Sequence, residues 1–184
     1  AEGDDAYSLL IKIGRDCVGA LHFLPDGQEP DAAGAVKGKI ISDALIANTL
    51  ANLARAPLGM SEDNEFRISL AGAQEKTALL RWNKKWRLPL GSTPTTHIVK
   101  PQIGKLANGV DMTMSVENEY LCMKLAAAFS VPTAAVSIAD FDGERALVVE
   151  RFDRHLTNDD RLLRIPQEDF CQALSTPPTL KYQS

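Results

Sequence analysis

The sequence predicts an α+β fold, in which an antiparallel sheet packs against one long helix. From residue 66 onward, short apolar segments alternate with turn signals, a pattern typical of β-strands. One later segment instead carries apolar residues at the i, i+4, i+7 and i+11 spacing of a helix face. These residues are Val116, Tyr120, Met123 and Ala127. Two polar, glycine-containing turns, at residues 71–76 and at Asp142-Gly143, would join neighbouring strands into hairpins.

The first third of the chain predicts a small N-terminal subdomain, which we assign to residues 1–62. Residues 18–24 are a strand candidate, and residues 26–39 have the Gly, Ala, Pro and Asp content of a loop. Ser42 is the expected N-cap of a helix, because its hydroxyl can accept from the free amides of a first helical turn. The helix that it would open extends to Arg55 and ends at a segment containing Pro and Gly.

The rest of the chain has a simple element order. Strands are predicted at residues 66–70, 77–82, 85–90, 96–100, 135–140, 146–149 and 162–165, and helices at residues 116–129, capped by Ser115, and at residues 166–173. Four strands, a long helix, two strands and a polar connector are the element order of a protein-kinase N-lobe. We assign this lobe to residues 63–154, and the start of a connection to an absent C-lobe to residues 155–184.

Composition limits the possible functions. The 184 residues are 45% hydrophobic and 24% charged, without an apolar run of about 20 residues that could cross a membrane. The net charge of −4 disfavours direct DNA binding, which needs a basic surface. Cys17, Cys122 and Cys171 are widely spaced among apolar neighbours, and no Cys/His spacing resembles a zinc site. We therefore expect reduced, mostly buried thiols, no metal ligands and a cytoplasmic protein.

The N-terminal sequence AEGDD is acidic, where a signal peptide would be basic, so export is not indicated. Because it also lacks an initiator Met, we expect the chain to be a piece of a longer protein.

The segment SLAGAQEKT, at residues 69–77, is a candidate phosphate-binding loop. Small residues let backbone amides approach phosphate oxygens, and Lys76 could add a positive charge. The segment lacks the P-loop pattern, because Glu75 precedes Lys76, and it lacks the G-x-G-x-x-G of common kinases. The alternative is a hairpin turn with an exposed lysine.

Lys100 ends the apolar strand THIVK and is a candidate to contact the α- and β-phosphates of a nucleotide. In kinases such a strand lysine pairs with a glutamate on the following helix. Here that helix carries Glu117 and Glu119, and Glu119 is favoured because it borders the apolar stripe. In the alternative, Lys100 is an ordinary lysine at a strand end that extends into water.

The connector residues Glu150, Arg151 and Phe152 follow the apolar strand ALVV and take the place of a kinase hinge. At a hinge, main-chain N–H and C=O groups contact the adenine edge, so the side chains carry little sequence signal. Phe152 could equally be a core aromatic residue.

Ser69 lies beside the candidate loop and is a candidate phosphorylation site. A phosphate there would add about two negative charges next to those of a nucleotide, and would oppose nucleotide binding. The alternative is a strand serine without a role.

Several stretches that occur together resemble the HipA-like toxin kinases, serine/threonine protein kinases of bacterial type II toxin–antitoxin systems. They are IGRDCVGA at residues 13–20, FRISLAGAQEKTALL at residues 66–80, TPTTHIVK at residues 93–100, SVENEY at residues 115–120, ALVVERFDR at residues 146–154 and LLRIPQED at residues 162–169. The resemblance covers nearly the whole chain, and the stretches follow the order found in the family.

This resemblance implies a role for each candidate. The phosphate-covering loop would consist of Ala71, Gly72, Ala73, Gln74, Glu75 and Lys76. Lys100 would contact the nucleotide, residues 150–152 would form the hinge, and Ser69 would be the serine whose autophosphorylation shuts the kinase down. The resemblance also implies ATP with Mg²⁺, a translation factor, typically an aminoacyl-tRNA synthetase, as substrate, and growth arrest with drug persistence. It further implies a helix-turn-helix antitoxin of the HipB type, through which alone DNA is bound.

The sequence departs from the family in lacking a C-lobe. None of its three histidines is followed by Gly-Asp, and neither a catalytic Asp nor an Asp for magnesium is recognisable. We expect these residues outside the chain, and we predict that the chain alone is inactive, since phosphoryl transfer depends on them. Two other interpretations stay open. One is a non-catalytic module that docks the antitoxin, and the other is an unrelated small α+β enzyme that uses Lys76 or Lys100.

Overall fold

The computed structural model of the protein describes residues 24, 26–27, 29, 31–55, 72, 74–177 and 180. Its centre is a six-stranded antiparallel sheet. The strands are β1 (Gly38–Ile40), β2 (Thr77–Trp82), β3 (Lys85–Pro89), β4 (His97–Pro101), β7 (Val136–Phe141) and β8 (Glu144–Glu150). Their order across the sheet is β1-β3-β2-β4-β8-β7, so β4 lies in the interior.

Two short hairpins and three helices complete the described elements. β5 (Gly104–Lys105) pairs with β6 (Asp111–Met112), and β9 (Arg154–Leu156) pairs with β10 (Leu162–Arg164). The helices are α1 (Asp43–Ala51), α2 (Ser115–Ala128) and α3 (Phe170–Ala173). The predicted α+β class is confirmed, and the strands predicted at residues 77–82, 85–90, 96–100, 135–140, 146–149 and 162–165 and the long helix occur in the predicted order. Strands β1, β5, β6 and β9 were not predicted, and the C-terminal helix predicted at residues 166–173 forms only over Phe170–Ala173. In the described part of the chain, no helix combines the length and the apolar character that crossing a bilayer requires.

Two tight turns shape the sheet. β2 and β3 are joined by Asn83 and Lys84, with φ of 51° and 61°, and β7 and β8 by Asp142 and Gly143, with φ of 50° and 91°. Positive φ at both central residues matches the right-handed twist of a two-residue hairpin. The Asp-Gly turn is the one that the sequence predicts.

Of the N-terminal elements, β1 joins this same sheet and α1 packs on it. α1 begins as predicted, since the Ser42 hydroxyl accepts from the amide of Leu45 at 3.3 Å, but it ends at Ala51 and not at Arg55. β1 lies at the end of the segment predicted as a loop. A Cβ at Gly38 would come within 3.0 Å of both Leu80 Cδ2 and Leu88 O, so a larger residue there would push β1 and β3 slightly apart.

Other predictions for the N-terminal half fall on residues that are not described. The strands predicted at residues 18–24 and 66–70 lie, apart from Leu24, outside the described residues. The predicted domain boundary between residues 62 and 63 also lies there.

The hydrophobic core lies between α1 and one face of the sheet. Ile46 and Leu50 of α1 are buried in one cluster with Leu79, Val99 and Val148 of the central strands. Val99 and Val148 stand directly opposite each other in the β4–β8 register, so their side chains share a face. This face contributes the main apolar burial of the described residues.

The opposite face of the sheet carries α2. Because side chains alternate along a strand, Lys100 points away from the α1 side to which its neighbour Val99 belongs. Val116 of α2 is buried, while Tyr120 and Met123 are half-buried and Ala127 is exposed. The predicted apolar stripe is therefore buried at its N-terminal end only.

The start of α2 differs from the prediction in its cap. Ser115 is not the N-cap but the first helical residue, and the capping position is held by Met114, which makes no side-chain hydrogen bond. The Ser115 hydroxyl accepts from the amide of Ile103 at 2.9 Å and donates to Gln102 Oε1 at 2.9 Å. The free amide of Val116, in the first turn, donates to the same Gln102 Oε1 at 2.9 Å. A residue of a neighbouring segment thus supplies the acceptor, a tertiary contact that local sequence does not indicate.

Burial of the thiols also differs in part from the prediction. Cys171 is buried, whereas Cys122 is exposed on α2, and both are free thiols.

His97 is a half-buried ring on the α1 side of the sheet. It packs edge-on against Trp86, with ring centroids 5.3 Å apart, and its Nδ1 lies 2.8 Å from the Thr96 hydroxyl. Burial, and then the positive charge of Arg81, lower the pKa of His97 to about 4. The ring is therefore neutral in the folded protein at neutral pH.

This burial predicts an acid-sensitive stability. The pKa of His97 is lower in the folded than in the unfolded state, so the unfolded chain takes up the proton first as the pH falls. The stability that the neutral His97 ring contributes is fully present above about pH 6.5, and it is lost as the pH falls towards 4. Between pH 7 and pH 5 we expect His97→Phe to remove about 1–2 kcal/mol of the acid-induced loss in free energy of unfolding. Urea denaturation at both pH values measures it.

The control is His155→Phe, which removes an exposed histidine without touching the ring cluster. Between pH 7 and pH 5, this variant should lose as much free energy of unfolding as the unsubstituted chain does. Equal losses in the His97→Phe variant and in the unsubstituted chain would show that the ring is not held neutral.

Candidate functional site

The Lys100–Glu119 ion pair joins the sheet to α2. Lys100 lies one residue before the end of β4, and its Nζ is 2.5 Å from Glu119 Oε1. Both side chains are partly buried, with 20% and 33% of their surface exposed. Glu117 instead accepts a hydrogen bond from Gln102 Nε2 at 2.7 Å and pairs with Arg145. Of the two glutamates considered from the sequence, the structure thus brings Glu119 to Lys100.

Lys76 lies beside this pair. Thr77 stands opposite Val99 in the β2–β4 register, which places Lys76 one step further, next to Lys100 and on the same face. Lys76 is only 5% exposed, so the alternative of an exposed lysine at a hairpin turn is wrong. Burial, and then the positive charge of Lys100, lower the pKa of Lys76, although Glu119 opposes this.

The candidate loop folds around the ammonium group of Lys76. Lys76 Nζ donates to the carbonyl of Gly72 at 2.8 Å and to the carbonyl of Gln74. Gly72 has a φ of +112°, which favours glycine, and a Cβ there would come within 3.2 Å of Lys76 Nζ. Gly72 and Glu75 are exposed and Gln74 is half-buried. Ala71, Ala73 and Ser69 lie outside the described residues.

A groove opens beside the loop. It has a volume of about 260 Å³ and is lined by Gln74, Glu75, Pro101, Gln102, Ile103 and Leu106. The loop and the segment that follows Lys100 therefore face each other across an open space and do not pack tightly together.

An apolar strip connects Lys100 with the connector. Ile98 of β4 stands opposite Val149 of β8, and Lys100 opposite Leu147, so alternation places these side chains on one face. Ile98 and Val149 are half-buried. Sequence reasoning missed both residues, although their positions, two before Lys100 and one before Glu150, could have indicated them.

The connector begins at the other end of this strip. The amide of Glu150 donates to Ala135 O and that of Arg151 to Thr96 O, both at 2.9 Å. A ligand could not use these two amides without displacing a hydrogen bond of the sheet. Phe152 is 72% exposed, so the alternative of a core aromatic residue is wrong.

The side chain of Arg151 turns inward. Its guanidinium donates to both Asp153 carboxylate oxygens, at 3.0 and 2.8 Å, and to the Thr95 hydroxyl at 3.0 Å. Arg154 donates to the same carboxylate at 2.8 Å and to Thr95 O at 2.7 Å. Any contact of Arg151 with a ligand would therefore have to come from its main chain.

This buried cluster, Thr95 with Arg151, Asp153 and Arg154, fixes the connector to the segment before β4. Burial would raise the pKa of Asp153, but the hydrogen bond and charge of Arg151 and the charge of Arg154 outweigh it, and the pKa is lowered. The carboxylate is therefore ionised between two guanidinium groups. The connector is thus fixed by buried side chains, while Phe152 stays exposed to solvent.

These features define a class of protein. A lysine on an interior strand pairs with a glutamate of the following helix, and the neighbouring strand runs into a connector. This is the arrangement of a protein-kinase N-lobe.

The chain belongs to the HipA-like family, because residues 68–184 match the family model of the HipA-like C-terminal domain. It is 40% identical over 181 residues to a protein of Sinorhizobium fredii named "Putative kinase Y4mE", covering 97% of this chain and 41% of that protein. It is 30% identical over 180 residues to the serine/threonine-protein kinase toxin HipA of Shewanella oneidensis, covering 97% of this chain and 39% of that toxin.

A solved structure shows the same fold. The Shewanella oneidensis toxin–antitoxin complex of HipA, HipB and its operator DNA matches with a TM-score of 0.69 and 30% identity. The match covers all of this chain and 40% of that one. The chain thus spans about two fifths of the length of these relatives.

The buried cluster predicts a large loss of stability on substitution of Asp153. Asp153→Ala leaves two buried guanidinium groups without their carboxylate and should lower the free energy of unfolding by about 3–5 kcal/mol. Chemical denaturation measures the change.

Asp159→Ala is the matched control, since Asp159 pairs with Arg161 in an exposed hairpin. It should have little effect. Similar, small effects of both substitutions would contradict the structural role of the cluster.

Proposed function

We propose that this chain is the nucleotide-binding part of a HipA-like serine/threonine protein kinase, the toxin of a toxin–antitoxin pair. In the full-length protein it would hold ATP for transfer of the γ-phosphate to a serine or threonine of a cytoplasmic translation factor. We propose an aminoacyl-tRNA synthetase as that factor, with growth arrest and persistence as the consequence. The observation that carries the proposal is the cluster of Lys76, Lys100 and Glu119 on one face of the sheet.

The charge of the cluster supports binding of a triphosphate. Among the described residues, Lys100 pairs with Glu119, and the same carboxylate acts on the charge of Lys76. Burial strengthens the interaction of both ammonium groups with an anion. Glu119 would orient Lys100 towards the α- and β-phosphates, as the strand lysine and helix glutamate do in kinases. The loop at residues 71–76 would cover the phosphates, and Lys76 would add its charge from beneath the loop.

The apolar strip supports the placement of the adenine. Ile98 and Val149 lie between Lys100 and the connector, so a base stacked there would put its edge at residues 150–152. The hinge contact would then come from main-chain groups of the connector other than the amides of Glu150 and Arg151. A flat apolar surface next to main-chain polar groups suits a purine base.

The proposal places the catalytic Asp and the Mg²⁺ ligands outside this chain. The magnesium ion would neutralise charge that develops on the phosphates during transfer. We therefore expect the 184 residues alone to bind a nucleotide but to transfer no phosphate.

The partner proposal follows from the complex of the relative. The Shewanella HipA occurs with HipB and operator DNA, and this chain has a net charge of −4. An acidic protein binds DNA poorly by itself. We propose that a helix-turn-helix antitoxin of the HipB type binds this toxin and connects it to DNA. Should the full-length protein bind the antitoxin but no nucleotide, the alternative of a non-catalytic docking module would replace the kinase proposal.

Substitution of Lys100 tests the proposal directly. In the full-length protein, Lys100→Ala removes a charged phosphate contact and should weaken ATP binding roughly 10–100-fold. Calorimetric titration with Mg-ATP measures the affinity.

Lys105→Ala is the control, because Lys105 is 75% exposed on β5 and close to Lys100 in sequence. It should bind ATP like the unsubstituted protein. An unchanged affinity in the Lys100→Ala variant would refute the proposed phosphate contact.

Ser69 provides a second test. Incubation of the full-length protein with Mg-ATP should add one phosphate, which intact-mass spectrometry detects as a single mass increment. Ser69→Ala should abolish the increment and prolong activity, because the added charge would oppose ATP binding. A phosphorylated Ser69→Ala protein would show that the modified residue lies elsewhere.

A further inference from the structure

We propose that Gln102 is a positioning residue for nucleotide binding: it holds the first turn of α2 where Glu119 meets Lys100. The inference rests on the proposed function, since it assigns to Gln102 control over the phosphate-contacting pair of that same site. Gln102 follows Lys100 by two residues and lies just beyond the end of β4.

The side-chain amide of Gln102 contacts three groups of the first turn of α2. Its Oε1 accepts from the Ser115 hydroxyl and from the amide of Val116, each at 2.9 Å. Its Nε2 donates to Glu117 Oε2 at 2.7 Å. Both the oxygen and the nitrogen of the amide therefore make hydrogen bonds. Together, the three contacts fix the orientation of the amide group.

These contacts replace a local cap. The first four amides of a helix have no partner within the helix, and Met114 offers no side-chain acceptor. Gln102 supplies the acceptor from outside the helix, so the position of the helix start depends on a residue of the Lys100 segment.

The helix is thereby attached to one strand segment at two points. Gln102 holds Val116, and Lys100 holds Glu119, three residues and about 4.5 Å further along the helix axis. A displacement of the first turn would be transmitted to Glu119, because the helix is stiff over this distance. Lys100 would then lose the carboxylate that orients it.

The charged surroundings of Gln102 suggest a sharp test. Its amide faces Glu117 directly, Arg145 of β8 pairs with Glu117 from the other side, and Glu75 lines the same groove as Gln102. In Gln102→Glu, a carboxylate retains the acceptors but has no donor for Glu117. At neutral pH the two carboxylates repel, whereas at lower pH the introduced group takes up a proton and can donate again.

The experiment measures the affinity of the full-length protein for Mg-ATP between pH 5.5 and 7.5. Gln102→Met, which keeps the length of the side chain but has neither donor nor acceptor, should weaken ATP binding about tenfold at every pH. Gln102→Glu should bind about tenfold more weakly at pH 7.5 and recover affinity towards pH 5.5. Gln167→Glu, outside the site, is the control for an added charge and should follow the unsubstituted protein.

Hydrogen exchange of the amides at residues 115–119 is the second measurement. We expect faster exchange in Gln102→Met, and in Gln102→Glu at pH 7.5 only, relative to the unsubstituted protein at the same pH. Should Gln102→Met fail to fold, Gln102→Glu decides the question alone, provided that hydrogen exchange outside residues 115–119 is the same as in the unsubstituted protein at pH 7.5, which shows that the variant stays folded.

Two negative outcomes are distinguishable. If exchange at residues 115–119 accelerates while ATP affinity stays unchanged at every pH, Gln102 only stabilises the fold and the inference is overturned. If neither the unsubstituted protein nor Lys100→Ala binds ATP, the proposed function fails, and this inference fails with it.

Discussion

The ion pair of Lys100 and Glu119 is the interaction on which the candidate site depends. It connects an interior strand with a helix that is otherwise largely exposed, since Val116 is the one apolar residue of α2 that is fully buried. A partly buried pair retains a larger share of its Coulomb attraction than a surface pair, but it requires that both elements stay in place. The position of α2 and the orientation of the Lys100 ammonium group are therefore one property of the structure.

Lys76 adds a second cation beside the ion pair of Lys100 and Glu119. Burial of an ammonium group beside another is unfavourable unless polar groups surround it. The carbonyls of Gly72 and Gln74 provide this, and they bend the loop over the charge. Two ammonium groups thus lie side by side on this face of the sheet, one of them held by the loop carbonyls and the other by Glu119. Net acidity of the whole chain and local positive charge at the site are thus compatible.

The cluster of Thr95, Arg151, Asp153 and Arg154 fixes the opposite end of the same face. Its ionic groups are buried and mutually satisfied, so it contributes more to the definite position of the connector than to net stability. The register between β4 and β8 fixes the distance from this cluster to Lys100. A ligand on this face would accordingly meet the connector at one end and Lys100 at the other.

The order of strands and helices, the Asp-Gly turn and the choice of Glu119 over Glu117 were predictable from the sequence, because they follow from local periodicity and turn chemistry. The inward turn of Arg151, the burial of Lys76, the strip of Ile98 and Val149 and the cap that Gln102 provides for α2 were not. Each depends on residues that are distant in sequence, or on the register between strands. A segment's own pattern determines which face it presents, but only packing decides which partner meets that face.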